Sequence, residues 1–166
     1  MSLTLRNLQS GTERVRRLGN KDVSPIAVKL TKVNLSIPNK TLLIQATVTG
    51  SSGRSRYETD IEFQNVSVNP ADTIGTTIVV PLNGSMDVHI QQAKQNMTMV
   101  KVACSCPDYT YTFAHLNASQ GAHFGSLPTI TRKTTTHKPR NSKQAPGMCK
   151  HIDALIDVLI QEKYLI

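Results

Sequence analysis

From Ile26 to Ile37 apolar and polar side chains alternate for most of the run, the period of two that marks a half-buried strand. Pro38-Asn39-Lys40 supplies a turn, and Thr41 to Val48 is the matching antiparallel partner. Gly50-Ser51-Ser52-Gly53 forms a second turn. Beyond it Tyr57, Thr59, Ile61 and Phe63 alternate with Glu58, Asp60 and Glu62, which predicts a strand with one wet face. Asn69-Pro70 ends that strand. Thr77 to Leu82 and Met97 to Ala103 read as further strands. Between them lie an Asn83-Gly84 turn and a short helix expected over Asp87 to Lys94.

At the two ends the pattern changes. Ile152, Leu155, Ile156, Leu159 and Ile160 recur at the spacing of one helical face, opposite Asp153, Asp157 and Glu162. Pro146-Gly147 forbids extending this helix backwards, so it starts near Met148 or Cys149. Asp153 in its early turns suits the positive end of the helix dipole. Residues 1–22 are polar and basic with little periodicity, and are expected to be an arm or a docking segment that orders only against a neighbour. The fold class that follows is α+β: an antiparallel β-sheet core and a packed C-terminal helix, with Cys104-x-Cys106 and Cys149-x-His151 where the two meet, a donor set that makes this end a zinc knuckle. The chain divides into a basic arm (1–22), a β-rich domain (23–96) and a metal-binding region (97–166) with a long loop at 109–146. Its 166 residues suffice for one core, or one core plus a small metal-stapled lobe.

The candidate chemistry lies in the cysteines. All three fall in two short motifs, Cys104-Ser105-Cys106 and Cys149-Lys150-His151. Three thiols and one imidazole make a complete tetrahedral set for Zn2+, with no position left open for a reactant. The odd count is poor material for a disulfide framework. The rival is a single disulfide from Cys149 to Cys104 or Cys106, leaving one free thiol. His115, His123 and His137 are alternative donors, though none sits in a short paired spacing. For the two sulfurs of C-x-C to reach one ion the chain must bend, and Pro107-Asp108 after the strand supplies a bend. In C-x-H both donors come off the first turn of a helix, where free backbone amides can also bond the sulfurs. The 42 residues between Cys106 and Cys149 are no obstacle, because two doublings of loop length add only ~1.2 kcal/mol. The loop at 109–146 contains Gly121, Gly125, Pro128 and Pro139, and is expected to project as a contact surface.

Charge adds a partner class. The net charge of +8 calls for an anionic partner or an acidic protein surface. No acidic residue occurs from Tyr109 to Ile152, a stretch that carries Arg132, Lys133, Lys138, Arg140, Lys143 and Lys150. Arg14, Arg16, Arg17 and Lys21 form a second basic cluster. Solvated loops and a nucleic-acid footprint account for these equally well. No stretch approaches the ~20 apolar residues that span a bilayer, and the start lacks a signal-peptide core, so a cytoplasmic product without a membrane partner is expected. Paired carboxylates in a plausible pocket, a Gly-rich phosphate loop and a nucleophile motif are all missing, which argues against an enzyme.

The order Val102-Ala103-Cys104-Ser105-Cys106-Pro107-Asp108-Tyr109, then Pro146-Gly147-Met148-Cys149-Lys150-His151-Ile152, resembles the SWIM-type zinc finger over residues 97–166. Its four ligand positions match Cys104, Cys106, Cys149 and His151 one for one, and the intervening segment is longer than in ordinary SWIM modules. The fuller pattern runs through Pro107-Asp108-Tyr109-x-Tyr111-x-Phe113, a basic loop, Pro146-Gly147-Met148-Cys149-Lys150-His151 and an apolar helix. With Gly53-Arg54-Ser55-Arg56-Tyr57-x-Thr59-x-Ile61-x-Phe63 before it, it is similar to structural proteins of tailed bacteriophages. That resemblance implies a virion component of the neck, tail or baseplate, made in the host cytoplasm. It would contact other virion structural proteins in multiple symmetric copies. The alternative is a nucleic-acid-binding zinc module. The chain has no Trp, and Tyr109, Tyr111 and Phe113 are better placed to pack around the metal than to stack on bases.

Overall fold

The alternating segments pair into a four-stranded antiparallel sheet in the order β1-β2-β3-β6, made of β1 (Ala27–Ser36), β2 (Thr41–Thr49), β3 (Arg56–Phe63) and β6 (Val100–Cys104). A computed structural model of the chain describes residues 3–15, 27–68, 77–82, 86–129 and 141–166. β4 (Thr77–Leu82) and β5 (Met86–Gln91) form a separate hairpin. Four helices complete the described residues: α1 (Leu5–Val15), α2 (Pro107–Thr112), α3 (Ala114–Ser119) and α4 (Lys150–Gln161). The fold is thus mixed α+β, with a C-terminal helix on an antiparallel sheet, as the patterning predicts. No helix among the described residues is long and apolar enough to cross a membrane.

Strand alternation gives the large sheet two unlike faces. Leu42, Ile44, Ala46 and Val48 of β2, Thr59, Ile61 and Phe63 of β3, and Val100, Val102 and Cys104 of β6 are buried on the inner face. Register sets Gln45 beside Asp60 and Leu43 beside Glu62 on the other. α4 lies across the inner face and buries Ile152, Leu155, Ile156 and Leu159, each worth about 1.5–3 kcal/mol of transfer free energy. Ile160 stands 41% exposed, so the apolar stripe is one residue narrower than its spacing suggests. The end of the chain turns back beside β5, where the Ile166 amide donates to the Ala93 carbonyl.

Three expectations are corrected. Residues 5–15 are a helix rather than an arm: Leu5 and Leu8 are buried, and the stripe continues through Gly11 and Thr12, which an apolar count does not register. Thr4 and Asn7 cap it reciprocally, the Asn7 amide donating to Thr4 Oγ1 at 3.3 Å and the Thr4 amide to Asn7 Oδ1 at 3.0 Å. Residues 16–22 lie outside the described residues. The helix expected over Asp87 to Lys94 is strand β5, whose Val88 and Ile90 are buried while His89 is exposed. The loop at 109–146 does not simply project. Its first part folds into α2 and α3 and buries Tyr109, Phe113, Ala114 and Ala122, and Asn141 and Ala145 at its other end are also buried. Residues 130–140, like Asn69-Pro70 and Asn83-Gly84, lie outside the described residues.

Candidate metal centre

β6 carries Cys104 to the end of the inner face. The chain stays extended through Ser105, whose amide donates to the Glu58 carbonyl at 2.9 Å and whose Oγ accepts from the Glu58 amide at 3.0 Å. Cys104 and Cys106 therefore share a face by strand alternation. The bend comes directly after Cys106, where Pro107 opens α2, at the Pro107-Asp108 pair expected to supply it. Cys106 is the N-cap of α2, and its Sγ accepts from the Tyr109 amide at 3.3 Å. Cys149 is the N-cap of α4 in the same extended conformation, with no hydrogen bond to its sulfur from the helix, and His151 follows in the first turn. The amide-to-sulfur bond expected at the C-x-H helix is thus found at α2.

Cys104, Cys106, Cys149 and His151 converge, one donor atom from each lying within 4.8 Å of the others. All four are buried, and the three cysteines are free thiols, so no disulfide joins them. Sulfurs bound tetrahedrally at about 2.3 Å stand ~3.8 Å apart, so this spacing fits one ion. His151 Nδ1 is 4.0 Å from Cys104 Sγ, while His151 Nε2 is buried with no hydrogen-bond partner. A buried imidazole nitrogen left without a partner costs free energy, and a metal bond to that nitrogen would offset the cost.

The electrostatics point the same way. The Cys104 and Cys149 thiols hydrogen-bond Cys106 and, with His151 and the Tyr109 amide, hold its pKa far below the usual thiol value. Cys104 is pushed up to about 12, chiefly by its bond to Cys106. Burial, then the two neighbouring sulfurs, raises Cys149 well above its ordinary value. With no cation the cluster favours a single thiolate; three need a compensating positive charge, which a divalent ion supplies.

No protein-family model, curated protein or solved structure matches the chain.

Neither His115 nor His123 joins the cluster. His115 is exposed on α3. His123 Nδ1 lies 3.0 Å from the Tyr109 hydroxyl and its Nε2 is 3.2 Å from the Ser126 carbonyl oxygen. His137 lies outside the described residues. Of the aromatic set, Tyr109 and Phe113 are buried beside the centre, while Tyr111 is 52% exposed.

Support for the four donors comes from residues that motif spacing does not reveal. Thr59 Oγ1 donates to Cys104 Sγ at 3.5 Å, and the Tyr57 ring lies 4.5 Å from the His151 ring. Asn117 brackets Gly147: its Nδ2 donates to the Gly147 carbonyl at 2.8 Å, and its Oδ1 accepts the Gly147 amide at 2.9 Å. Tyr109 donates its hydroxyl proton to the Val102 carbonyl at 2.6 Å and so ties α2 to β6. Thr59 and Tyr57 were legible as inward strand positions. Asn117 carried no signal, because its partner is a backbone segment 30 residues away.

Proposed function

We propose that this chain is a zinc-stapled structural protein whose centre fixes α4 against the sheet and thereby shapes a surface for assembly. The observation that carries this reading is the buried set of three thiols and one imidazole, which uses up a tetrahedral coordination shell and leaves no site for water or substrate. Sulfur-rich tetrahedral sites favour zinc over harder divalent ions. When bound, the ion supplies a cross-link between β6–α2 and the start of α4; it performs no reaction. The reading is therefore non-enzymatic.

A place in a tailed-phage virion, in the neck, tail or baseplate, is supported by the resemblance of the motif order and by nothing geometric. Partners in that setting are neighbouring virion proteins in repeated copies. A second reading, nucleic-acid binding, draws on the net charge of +8.

Elemental analysis of protein purified without added metal tests the first claim. One zinc per chain, lost in Cys149→Ser, supports it; no metal, or an intact complement in both Cys149→Ser and His151→Ala, removes it. Migration of the protein with purified particles tests the virion assignment. A DNA titration across salt separates the alternatives: no binding near physiological salt removes the nucleic-acid reading, and a steep loss with salt favours it.

A further inference from the structure

The segment that carries Cys149 and His151 is seated on α1. The Thr12 hydroxyl accepts the Met148 amide at 2.8 Å, and its single proton faces the carbonyl oxygens of Leu8 at 2.9 Å and Met148 at 3.1 Å. Met148 is the residue before the N-cap ligand Cys149. One turn position away, Gly11 packs so closely on Pro146 that a Cβ there would overlap the Pro146 carbonyl oxygen. Gly147, between them, faces Thr12 Oγ1 and Phe113 at 2.7 Å from where its own Cβ would stand. α1 thus meets the backbone of residues 146–148 directly, in the three residues that lead into Cys149.

We propose that Thr12 is a positioning residue of the metal centre, so that docking of α1 and loading of the four donors form one coupled equilibrium. The proposal rests on the metal reading above. Residues that hold metal ligands from behind typically change metal affinity by ~10–100-fold when replaced, although they never touch the ion. Coupling of this kind is reciprocal: whatever factor α1 docking adds to metal affinity, metal adds to α1 docking. Leu5 and Leu8 are wholly buried, so an undocked α1 would also expose apolar surface. Metal occupancy would then govern whether α1, with Arg14 in its last turn, is held to the body of the protein.

The test uses the full chain. Cobalt(II) is titrated against a competing chelator for the wild type, Thr12→Val and Thr12→Ser, and amide exchange over residues 5–15 is followed with and without zinc. Thr12→Val keeps the shape but loses the hydroxyl, and about tenfold weaker cobalt binding is expected, with recovery in Thr12→Ser. In the wild type, zinc should slow exchange of α1 by a similar factor. A threonine that merely stabilised its own helix would leave cobalt affinity unchanged. Wild-type affinity in Thr12→Val, with normal uptake by the wild type, overturns the coupling alone. Failure of the wild type to take up cobalt or zinc overturns the metal reading and the coupling with it. Should Thr12→Val not fold, α1 exchange in the wild type decides: equal rates with and without zinc overturn the proposal.

Discussion

Cys106 and Cys149 are both helix N-caps in extended conformation, yet the two ligand pairs they belong to are held by different means. Cys104 and Cys106 extend a strand whose backbone is paired with β3 from Val100 to Ser105. Their place follows from the sheet. Cys149 and His151 begin a helix that follows a segment with no strand pairing, held by side chains from α1 and α3: Thr12 on Met148 and Asn117 on Gly147. The first pair is therefore preformed by main-chain bonds, while the segment leading into the second relies on a few side chains and would rely on an ion where one binds. A metal staple matters most where the backbone has fewest alternatives.

The largest effect should come from removing the metal. A strong chelator is expected to release protection against amide exchange across residues 147–156 by at least ~3 kcal/mol. That is a modest part of the ~10–16 kcal/mol that structural zinc contributes in small domains. Residues 100–105 should keep most of theirs. Exchange mass spectrometry reads both segments at once. Equal loss in the two would show that the pairs are not differently held.

Next in size is Gly147→Ala. Its Cβ would come within 2.7 Å of Phe113 Cε1 and Thr12 Oγ1, too close for either to be accommodated without movement. Overpacking of this kind costs about 1–3 kcal/mol. The damage should concentrate at the second pair, seen as weaker metal retention, while the exchange of β6 stays as in the wild type. Full metal retention with wild-type stability would mean that the segment has more room than its contacts imply.

A smaller loss is expected on the other side of the centre. Thr59→Val removes a 3.5 Å hydroxyl-to-sulfur bond to Cys104 and keeps the volume of a fully buried side chain. Unfolding by denaturant should report a loss of about 0.5–1.5 kcal/mol, with α4 exchange little changed. A loss well above that range, accompanied by faster α4 exchange, would mean that Cys104 relies on its side-chain partner more than on its strand.

How much of this was legible beforehand follows the same division. The strands β1, β2 and β3 could be read because alternation is a local signal and their neighbours are adjacent in sequence. The four donors could be read because C-x-C and C-x-H are dense short motifs. α1 was missed because its inner stripe runs through buried Leu5, Leu8 and Gly11 and half-buried Thr12, and the last two act by close approach and hydrogen bonding, which hydropathy does not weigh. β5 was misread because Val88 and Ile90 are a pair of alternating apolar positions, too short a run to separate a strand from a helical turn. The supports of the second pair act at separations of 30 and 136 residues, and nothing local announces them.

The smallest expected effect is a control on the outer face of the same ladder. Asp60 pairs with Ala103, one residue before Cys104, but points away from the metal centre toward Gln45, whose Nε2 donates to Asp60 Oδ1 at 2.7 Å. Burial raises its pKa above the usual carboxylate value, the Gln45 bond opposes this, and Glu58 adds to it. A carboxyl with a raised pKa binds its proton more tightly folded than unfolded. Its contribution to stability is thus greatest below its ordinary pKa and declines as pH rises through the raised folded value. Above that window Asp60 is a charged group in a place that disfavours charge. Asp60→Asn keeps an oxygen for Gln45, and at neutral pH should be neutral or stabilising by up to ~0.5 kcal/mol. It should also remove the decline in stability with rising pH that Asp60 contributes, and leave metal affinity untouched. Denaturant unfolding between pH 3 and 7 would check the slope. Weakened metal binding in this variant would show that the sheet transmits changes from its outer face to Cys104, and that the first pair is less independent than its backbone pairing indicates.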